Sequence, residues 1–549
     1  MSLPRLANST LSKYNKTKNV SYSVKMGGIN YTDNYSGGDF EDSQNISTKR
    51  FPYLTTRDTR YKTSYTGVSS IYAWNELVRI VGTSVYYGSR LISGSVTAGR
   101  KQIATMNTKC IIYPDAKYFE IPADSSQSTT GLYTLKPLAY SVTPANIANN
   151  AFINDDIINF GGDGNDLVKD HFNIGDKVKI SGSAASGNNR EVFIKSISWA
   201  GISTPTSMYF VDENGESPKF TQESKTKLTI TLCIPKLDYI CESENRLWGC
   251  SNDTSTIYAS ALGNPTSFFN YTDTADSAYA VAVATSENFT GCTKLGNSVL
   301  FFKEKCIHKV LGSYPAEYQI NTYNVDGLLR NCEKSMQVIN DVLFYMGTKG
   351  INVYSGGTPS LLSFNFGNKR FIDGVGGSDG DSYFISCKDS DGKYYLFNYD
   401  LNLKVWTLED KLEFMDFARL KDTFYMLDSK GDIYYEGDSH DNPAYVSSDE
   451  TTMEWVAQFK PFYETFEGRK IYSKLHLRLE VPKGSYLNMD IRCDGKTWKN
   501  VAKIIGKTNN VIPVPVPIER CDKFEIKLHG KGKFTLFSLD RHYTVRSDN

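Results

Sequence analysis

The chain alternates between short apolar runs and polar turns, and the runs come in pairs. Each pair reads polar turn, apolar strand, polar turn, then Ile or Val followed by an aromatic. The clearest copies are NELVRIVGTSVYYG (Asn75 to Gly88), NRLWGCSNDTSTIYAS (Asn245 to Ser260), NSVLFFKEKCIHKVLG (Asn297 to Gly312), NDVLFYMGTKGINVYSG (Asn340 to Gly356) and DTFYMLDSKGDIYYEG (Asp422 to Gly437). DSYFISCKDSDGKYYLFNYD (Asp381 to Asp400) is a sixth copy, and TKCIIYPDAKYFEI (Thr108 to Ile121) a weaker seventh. Short apolar runs bounded by Gly, Asn and Asp predict strands. From Tyr258 the matched positions are His308, Tyr354, Phe397 and Tyr434, in steps of 50, 46, 43 and 37 residues. A period near ~40–50 residues with several strands per repeat predicts a β-propeller, here of six or seven blades. One blade cannot bury its apolar face alone, so blades pack side by side in a ring.

The repeat is interrupted, and the interruptions define domains. Residues 1–50 are polar and rich in Asn, Ser and Gly, which predicts an N-terminal arm packed along its own body or a neighbour. The first propeller blades occupy 51–124, one starting near Phe51 and Pro52 and a second running through Tyr118 and Phe119. Residues 125–236 change character: FNIGDKVKISGSAASGNNREVFIKSISWAG and SKTKLTITLCIP alternate in short strands between Gly, Ser and Asn turns. They predict an inserted β domain, a small β-barrel or sandwich. The interval from Tyr118 to Tyr258 is 140 residues, one repeat plus about 95, and loops tolerate such insertions because closure entropy grows slowly with length. The remaining blades fill 237–441. Residues 442–549 hold a polar linker and a C-terminal β-sandwich, predicted from the alternation of KLHLRLEVPKGSYLNMDIRC and the Asp494–Gly495 hairpin signal. No long segment has helical periodicity, so the fold class is all-β.

Composition agrees with that outline. The 549 residues are 40% apolar and 22% charged, values of a soluble chain with a large core, and the 36 Tyr and 29 Phe favour strands. No apolar stretch is long enough to span a membrane, and the N-terminus lacks the apolar centre of a signal peptide. The ten cysteines form no C-x-x-C pair, and most lie in strand-like runs (Cys110, Cys233, Cys306, Cys387). They read as buried free thiols in a reducing compartment. Net charge is zero, but residues 459–549 carry 18 Lys and Arg against 10 Asp and Glu, and the first 25 residues carry Arg5, Lys13, Lys16, Lys18 and Lys25 with no acid. Overall this is unlike a strongly basic DNA-binding protein. A basic end suits a local phosphate-facing surface or an acidic partner, and a solvated basic face is the simpler reading.

Candidate chemistry is sparse. His171, His308, His440, His476, His529 and His542 include no pair at metal-ligand spacing. His308 fills the aromatic slot of its repeat and reads as a packed strand histidine. Ile505-Gly506-Lys507-Thr508 resembles the end of a phosphate loop, but Val501 stands where the earlier Gly is needed, so a hairpin turn is expected. Asp389-Ser390-Asp391-Gly392 resembles the start of a calcium loop, yet Lys393 and Tyr395 occupy later ligand positions and no Glu closes it; a hairpin turn is expected. Cys493-Asp494-Gly495-Lys496-Thr497-Trp498 departs from the sialidase Asp-box, which needs Asp two residues before Gly. No catalytic, cofactor-binding or metal residue is assigned, no cofactor is expected, and the chain is expected not to be an enzyme.

Four stretches together resemble the tail nozzle, or packaged-DNA stabilisation, proteins of tailed bacteriophages. The first is GGINYTDNYSGGDFEDSQNISTKRFPYLTTR, with Gly27, Gly28, Asn30, Asn45, Ile46, Phe51, Pro52, Leu54 and Arg57 at the family's positions. The others are CESENRLWGCSNDTSTIYASALGNPTSFFNY, the blades GCTKLGNSVLFFKEKCIHKVLGSYP and EKSMQVINDVLFYMGTKGINVYSGG, and the closing RCDKFEIKLHGKGKFTLFSLDRHY. The resemblance implies a structural virion protein, located in the tail and assembled in the host cytoplasm. It would form a homo-oligomeric ring, usually a hexamer, beneath portal and adaptor proteins. The ring would extend the DNA exit channel, help retain packaged DNA and carry tail fibre or other tail proteins. The alternative is a propeller-based binding module for a protein or glycan, exposing an aromatic-rich pocket with a few polar groups. A glycan-processing enzyme ranks third.

Overall fold

The computed structural model describes residues 19–23, 26–123, 131–142, 152–159, 171–200, 204–224, 228–271, 274–436, 445–447, 453–464, 469–517 and 519–546. The basic stretch Arg5 to Lys25 falls outside them apart from a short backbone strand, Asn19–Ser23, and His440 also falls outside. The described chain is all-β with no α-helix and has a seven-bladed propeller arrangement.

Six blades are four-stranded sheets and the seventh has five strands. The aligned positions fall in the third strand of successive blades: Tyr258 in Thr256–Ala259, His308 in Ile307–Leu311, Tyr354 in Ile351–Tyr354, Phe397 in Tyr394–Asp400 and Tyr434 in Ile433–Glu436. Second strands such as Arg246–Ser251 and Ser298–Phe302 are buried at every position. Both faces of such a strand are covered by packed neighbours, which is why these runs read as continuous rather than alternating.

The chain divides into two compact units. One, residues 67–360, contains five blades, the first starting at Val68–Ala73. Successive blades share cores. Val78, Ile80 and Val85 pack with Cys110, Ile112 and Phe119, and Trp248, Cys250 and Ile257 pack with Cys292, Val299 and Phe301. The same unit carries an eight-stranded antiparallel sheet between Ser141 and Leu232. Each of its eight strands sends one face to a single cluster that includes Val142, Ile153, Ile158, Val178, Ile194, Phe210, Phe220 and Ile230. The sheet curls over that core as a half-barrel and its strand order does not close, so the expected small β-barrel is not what is found.

The other unit, residues 1–66 with 361–549, contains the sixth and seventh blades and an eleven-stranded sheet. Here the sequence expectation is corrected: in place of a free-standing C-terminal sandwich there is one large sheet with the N-terminal segment woven in. Asp39–Gln44 pairs with Glu454–Phe459, and Leu54–Thr56 pairs with Thr535–Arg546. Tyr61–Thr63 goes further and pairs with Ile433–Glu436 of the seventh blade. The described part of the arm therefore packs on its own body. The strand Arg469–Cys493 alternates buried Leu475, Leu477, Leu479, Val481, then Leu487, Met489 and Ile491 with less buried neighbours, the period-two signature of a sheet with one covered face. Asp494 and Gly495 form a tight turn with φ of 48° and 71°, closed by Lys496 N donating to the Cys493 carbonyl at 3.0 Å, within a longer connection that pairs Ile491 with Lys499. Gly506 is a second correction. It lies inside the strand Lys499–Pro515 rather than in a turn, where a Cβ would stand 2.3 Å from the Pro482 carbonyl oxygen at a register shift in the partner strand.

Candidate functional site: an acidic cleft and a tyrosine groove

Two concave sites lie within the second unit. The larger, about 650 Å³, is lined by Tyr31, Glu41, Asp42, Lys369, Gly392, Lys393, Tyr394, Tyr395 and Lys411. Tyr31 is positioned by its own loop. Asn30 Nδ2 donates to Asp39 Oδ2 at 3.0 Å, Ser36 N donates to the same oxygen at 2.9 Å, and Tyr31 N donates to the Asn365 carbonyl at 2.7 Å. Gly27 and Gly28 permit this approach, since a Cβ at Gly27 would lie 2.0 Å from Asp39 Oδ1 and one at Gly28 2.6 Å from the Trp406 carbonyl oxygen.

Tyr394 and Tyr395 follow the Asp389–Gly392 turn. That turn is a hairpin, as expected: Asp389 Oδ1 accepts from Asp391 N at 3.0 Å and Lys393 N at 2.9 Å, while Asp389 Oδ2 accepts from the Tyr395 hydroxyl at 3.0 Å. Lys369 Nζ sits 4.4 Å from the Tyr31 ring centroid and 3.9 Å from that of Tyr395, a cation between two π faces. Burial pushes the Lys369 ammonium down from its usual range. Burial and the Asp389 carboxylate push the Tyr395 phenol up to about 12. Lys411 pairs with Asp42 at 3.3 Å, whereas among the described residues no ion pair reaches Lys369 or Lys393.

The second site is a cleft of about 390 Å³. The turn after Ile46–Ser47 contributes Thr48 and Lys49. The sixth blade contributes Asp379, Asp381, Asn398, Asp400 and Glu409, and the seventh contributes Glu436. Behind it Arg60 bonds Glu409 at 2.7 Å and Asp410 at 2.9 Å and reaches Glu436 at 3.4 Å. Asn398 Nδ2 donates to Glu409 Oε1 at 2.9 Å, and Thr48 Oγ1 donates to Asp400 Oδ2 at 2.7 Å. Burial, with the nearby Glu409 charge, pushes Glu436 up to about 7, and burial also raises Asp379.

Sequence reasoning found neither site, because their residues come from segments hundreds of positions apart; Arg60 and Glu436 behind the cleft are separated by 376. The usable signals were local: the acidic pair Glu409–Asp410 ending a buried strand, and the two arginines of TTRDTRYKT. Among the described histidines, His476 and His542 stand edge to face with ring centroids 4.7 Å apart. His308 is buried, bonded to Thr322 Oγ1 at 2.8 Å and Thr285 Oγ1 at 3.0 Å, and desolvation lowers its pKa to about 4. Among the described residues no helix is long and apolar enough to cross a membrane, and all ten cysteines are free.

No protein-family model and no curated protein matches the chain. Solved structures do. An exo-beta-1,3-galactanase from Phanerochaete chrysosporium matches at 10% identity and TM-score 0.23, over 54% of this chain and 92% of that one. The endosialidase of phage phi92 matches at 10% identity and TM-score 0.27, over 78% and 79%. BamB from Moraxella catarrhalis matches at 9% identity and TM-score 0.26, over 71% and 99%. The expectation of a chain that is not an enzyme is corrected: two of the matched structures are named as an exo-beta-1,3-galactanase and an endosialidase, a likeness of fold alone. These findings remove the exclusion and assign no activity.

Proposed function

We propose that the chain is a propeller-based glycan-binding module whose ligand lies in the tyrosine groove. The observation that carries this reading is the wall of Tyr31, Tyr394 and Tyr395 around a groove that also presents Lys369 and Lys393, which make no close ion pair among the described residues. Aromatic faces stack on the C–H face of a pyranose ring, and a few polar groups fix its orientation. The two unpaired ammonium groups favour a sugar carrying carboxylate or sulfate. A glycan array followed by calorimetry tests this. Binding to acidic glycans should be saturable, and Tyr394→Ala and Lys369→Met should each weaken it at least fivefold without changing the melting temperature. An array on which no glycan binds would refute the reading.

A second reading, a ring-forming tail protein of a bacteriophage, is favoured by where its resemblance residues fall. Gly27, Gly28, Asn45 and Arg57 sit in close backbone or side-chain contacts that few substitutions would keep. In this reading the chain forms a homo-oligomer in the virion and contacts portal, adaptor or fibre proteins. Native mass spectrometry of the purified full chain tests it: a closed oligomer supports it, and a monomer at high micromolar concentration counts against it.

A further inference from the structure

We infer that the acidic cleft is a separate binding site for a small organic cation bearing a primary ammonium group. The cleft's own cations are already committed. Lys49 Nζ pairs with Asp58 at 2.7 Å and faces Glu436 at 3.9 Å. Arg57 donates from Nε to Asn45 Oδ1 at 2.7 Å and from Nη1 to the Asp58 carbonyl at 2.8 Å. Arg60 serves Glu409, Asp410 and Glu436. The carboxylates that remain, Asp379, Asp381 and Asp400, have no basic group within ion-pair distance among the described residues.

A second observation points to a ligand. Asn398 lines the cleft with only 7% of its surface exposed, and its Oδ1 has no hydrogen-bond partner. Its orientation is set by Nδ2, which donates to Glu409, so Oδ1 is left as a buried acceptor. A buried acceptor without a donor costs about 1–3 kcal/mol, and a ligand donor would remove that cost. Among the described residues no three His, Cys, Asp or Glu side chains are grouped to hold a metal ion, so the cation that fits is organic. An ammonium brings one charge and three donors, enough for the Asn398 oxygen and two carboxylates. A neutral hydroxyl would leave the excess negative charge uncompensated. The site shares no lining residue with the tyrosine groove, so it stands or falls independently of glycan binding.

The test is calorimetry on the full chain at neutral pH with putrescine, its uncharged isostere 1,4-butanediol, and calcium chloride. Putrescine should bind saturably, with affinity falling as salt is raised, and the diol and calcium should not. Asp379→Asn and Asp381→Asn should each weaken putrescine at least fivefold. Asp379 accepts backbone N–H bonds from Asp381 and Ser382 at 3.0 and 2.8 Å, which Asn can keep, and no side-chain bond is lost at Asp381. Each variant's melting temperature should match that of the parent. No saturable putrescine binding, equal binding of the diol, or full affinity in a folded Asp381→Asn variant would overturn the inference.

Discussion

Arg57 Nε donates to Asn45 Oδ1 at 2.7 Å, and Asn45 Nδ2 donates onward to the carbonyl of Glu454 at 2.7 Å. This relay ties the N-terminal segment to a strand more than 400 residues later. Asn45 also adopts φ of 58°, a left-handed conformation that Asn tolerates better than most residues. Asn45→Ala should therefore lose one buried and one partly buried hydrogen bond and add backbone strain, about 2–4 kcal/mol together. Asn45→Gly should recover the strain term but not the bonds, leaving it more stable than Asn45→Ala. Urea unfolding of the two variants measures the difference. Equal stabilities would show that the conformation of Asn45 costs nothing.

The fold was legible where its physics is local. The third-strand positions Tyr258, His308, Tyr354, Phe397 and Tyr434 were readable because each blade repeats the same short strands between polar turns. The Asp494–Gly495 turn was readable because its conformation favours those residue types. What could not be read depends on long-range pairing. Nothing in YKT announces that Tyr61–Thr63 inserts into the seventh blade between Ile433–Glu436 and Tyr445–Ser447, since a three-residue strand carries almost no pattern. Gly506 was misjudged because close packing on the Pro482 carbonyl and a turn both call for glycine. The carboxylates of the cleft are ordinary strand-end acids until folding brings them together.

Glu436 predicts a specific pH dependence. Its folded pKa is raised from 4.5 to about 7 by burial and by Glu409, against the pull of Arg60 and Lys49. The folded protein thus holds a proton that the unfolded chain releases. The stabilising contribution is complete below about pH 4.5 and is lost as pH rises through 7. Asp176, raised to about 6, acts in the same sense, and His308, lowered to about 4, acts oppositely below pH 6.5. Glu436→Gln isolates its own term: relative to the parent it should gain about 1–3 kcal/mol between pH 5 and pH 8. Melting curves at the two pH values check this, and a difference independent of pH would contradict it.

Gly28 predicts a steric penalty. Its φ is 87°, and a Cβ would lie 2.4 Å from Val405 Cγ1 and 2.6 Å from the Trp406 carbonyl oxygen. Backbone cannot yield as a flexible side chain can. Gly28→Ala should destabilise by about 2–4 kcal/mol, whereas Gly37→Ala, with nothing within 4 Å of its Cβ, should stay within about 0.5 kcal/mol of the parent. Comparable melting temperatures for the two would mean the glycine is not needed for packing.

Arg60 carries the sharpest stability prediction. It is 2% exposed and faces Glu409, Asp410 and Glu436, the first two nearly as buried. Removing one partner from a buried ion network leaves uncompensated charge, typically a loss of about 3–5 kcal/mol. Arg60→Met keeps much of the volume and should show that loss at pH 8. At pH 5 the loss should be smaller, because Glu436 is then protonated and one fewer charge is left stranded. Truncation separates this network from the pairing of the early strands. Deleting residues 1–25 removes Asn19–Ser23, which pairs along Leu539–Tyr543, and leaves every blade strand in place. Deleting residues 1–66 removes Tyr61–Thr63 and Arg60 together, so the seventh blade loses a strand and its carboxylates lose their cation. The shorter truncation should retain a cooperative melt, and the longer one should not. A cooperative melt near the parental temperature after the longer deletion would show that neither the added strand nor the arginine holds the seventh blade in place.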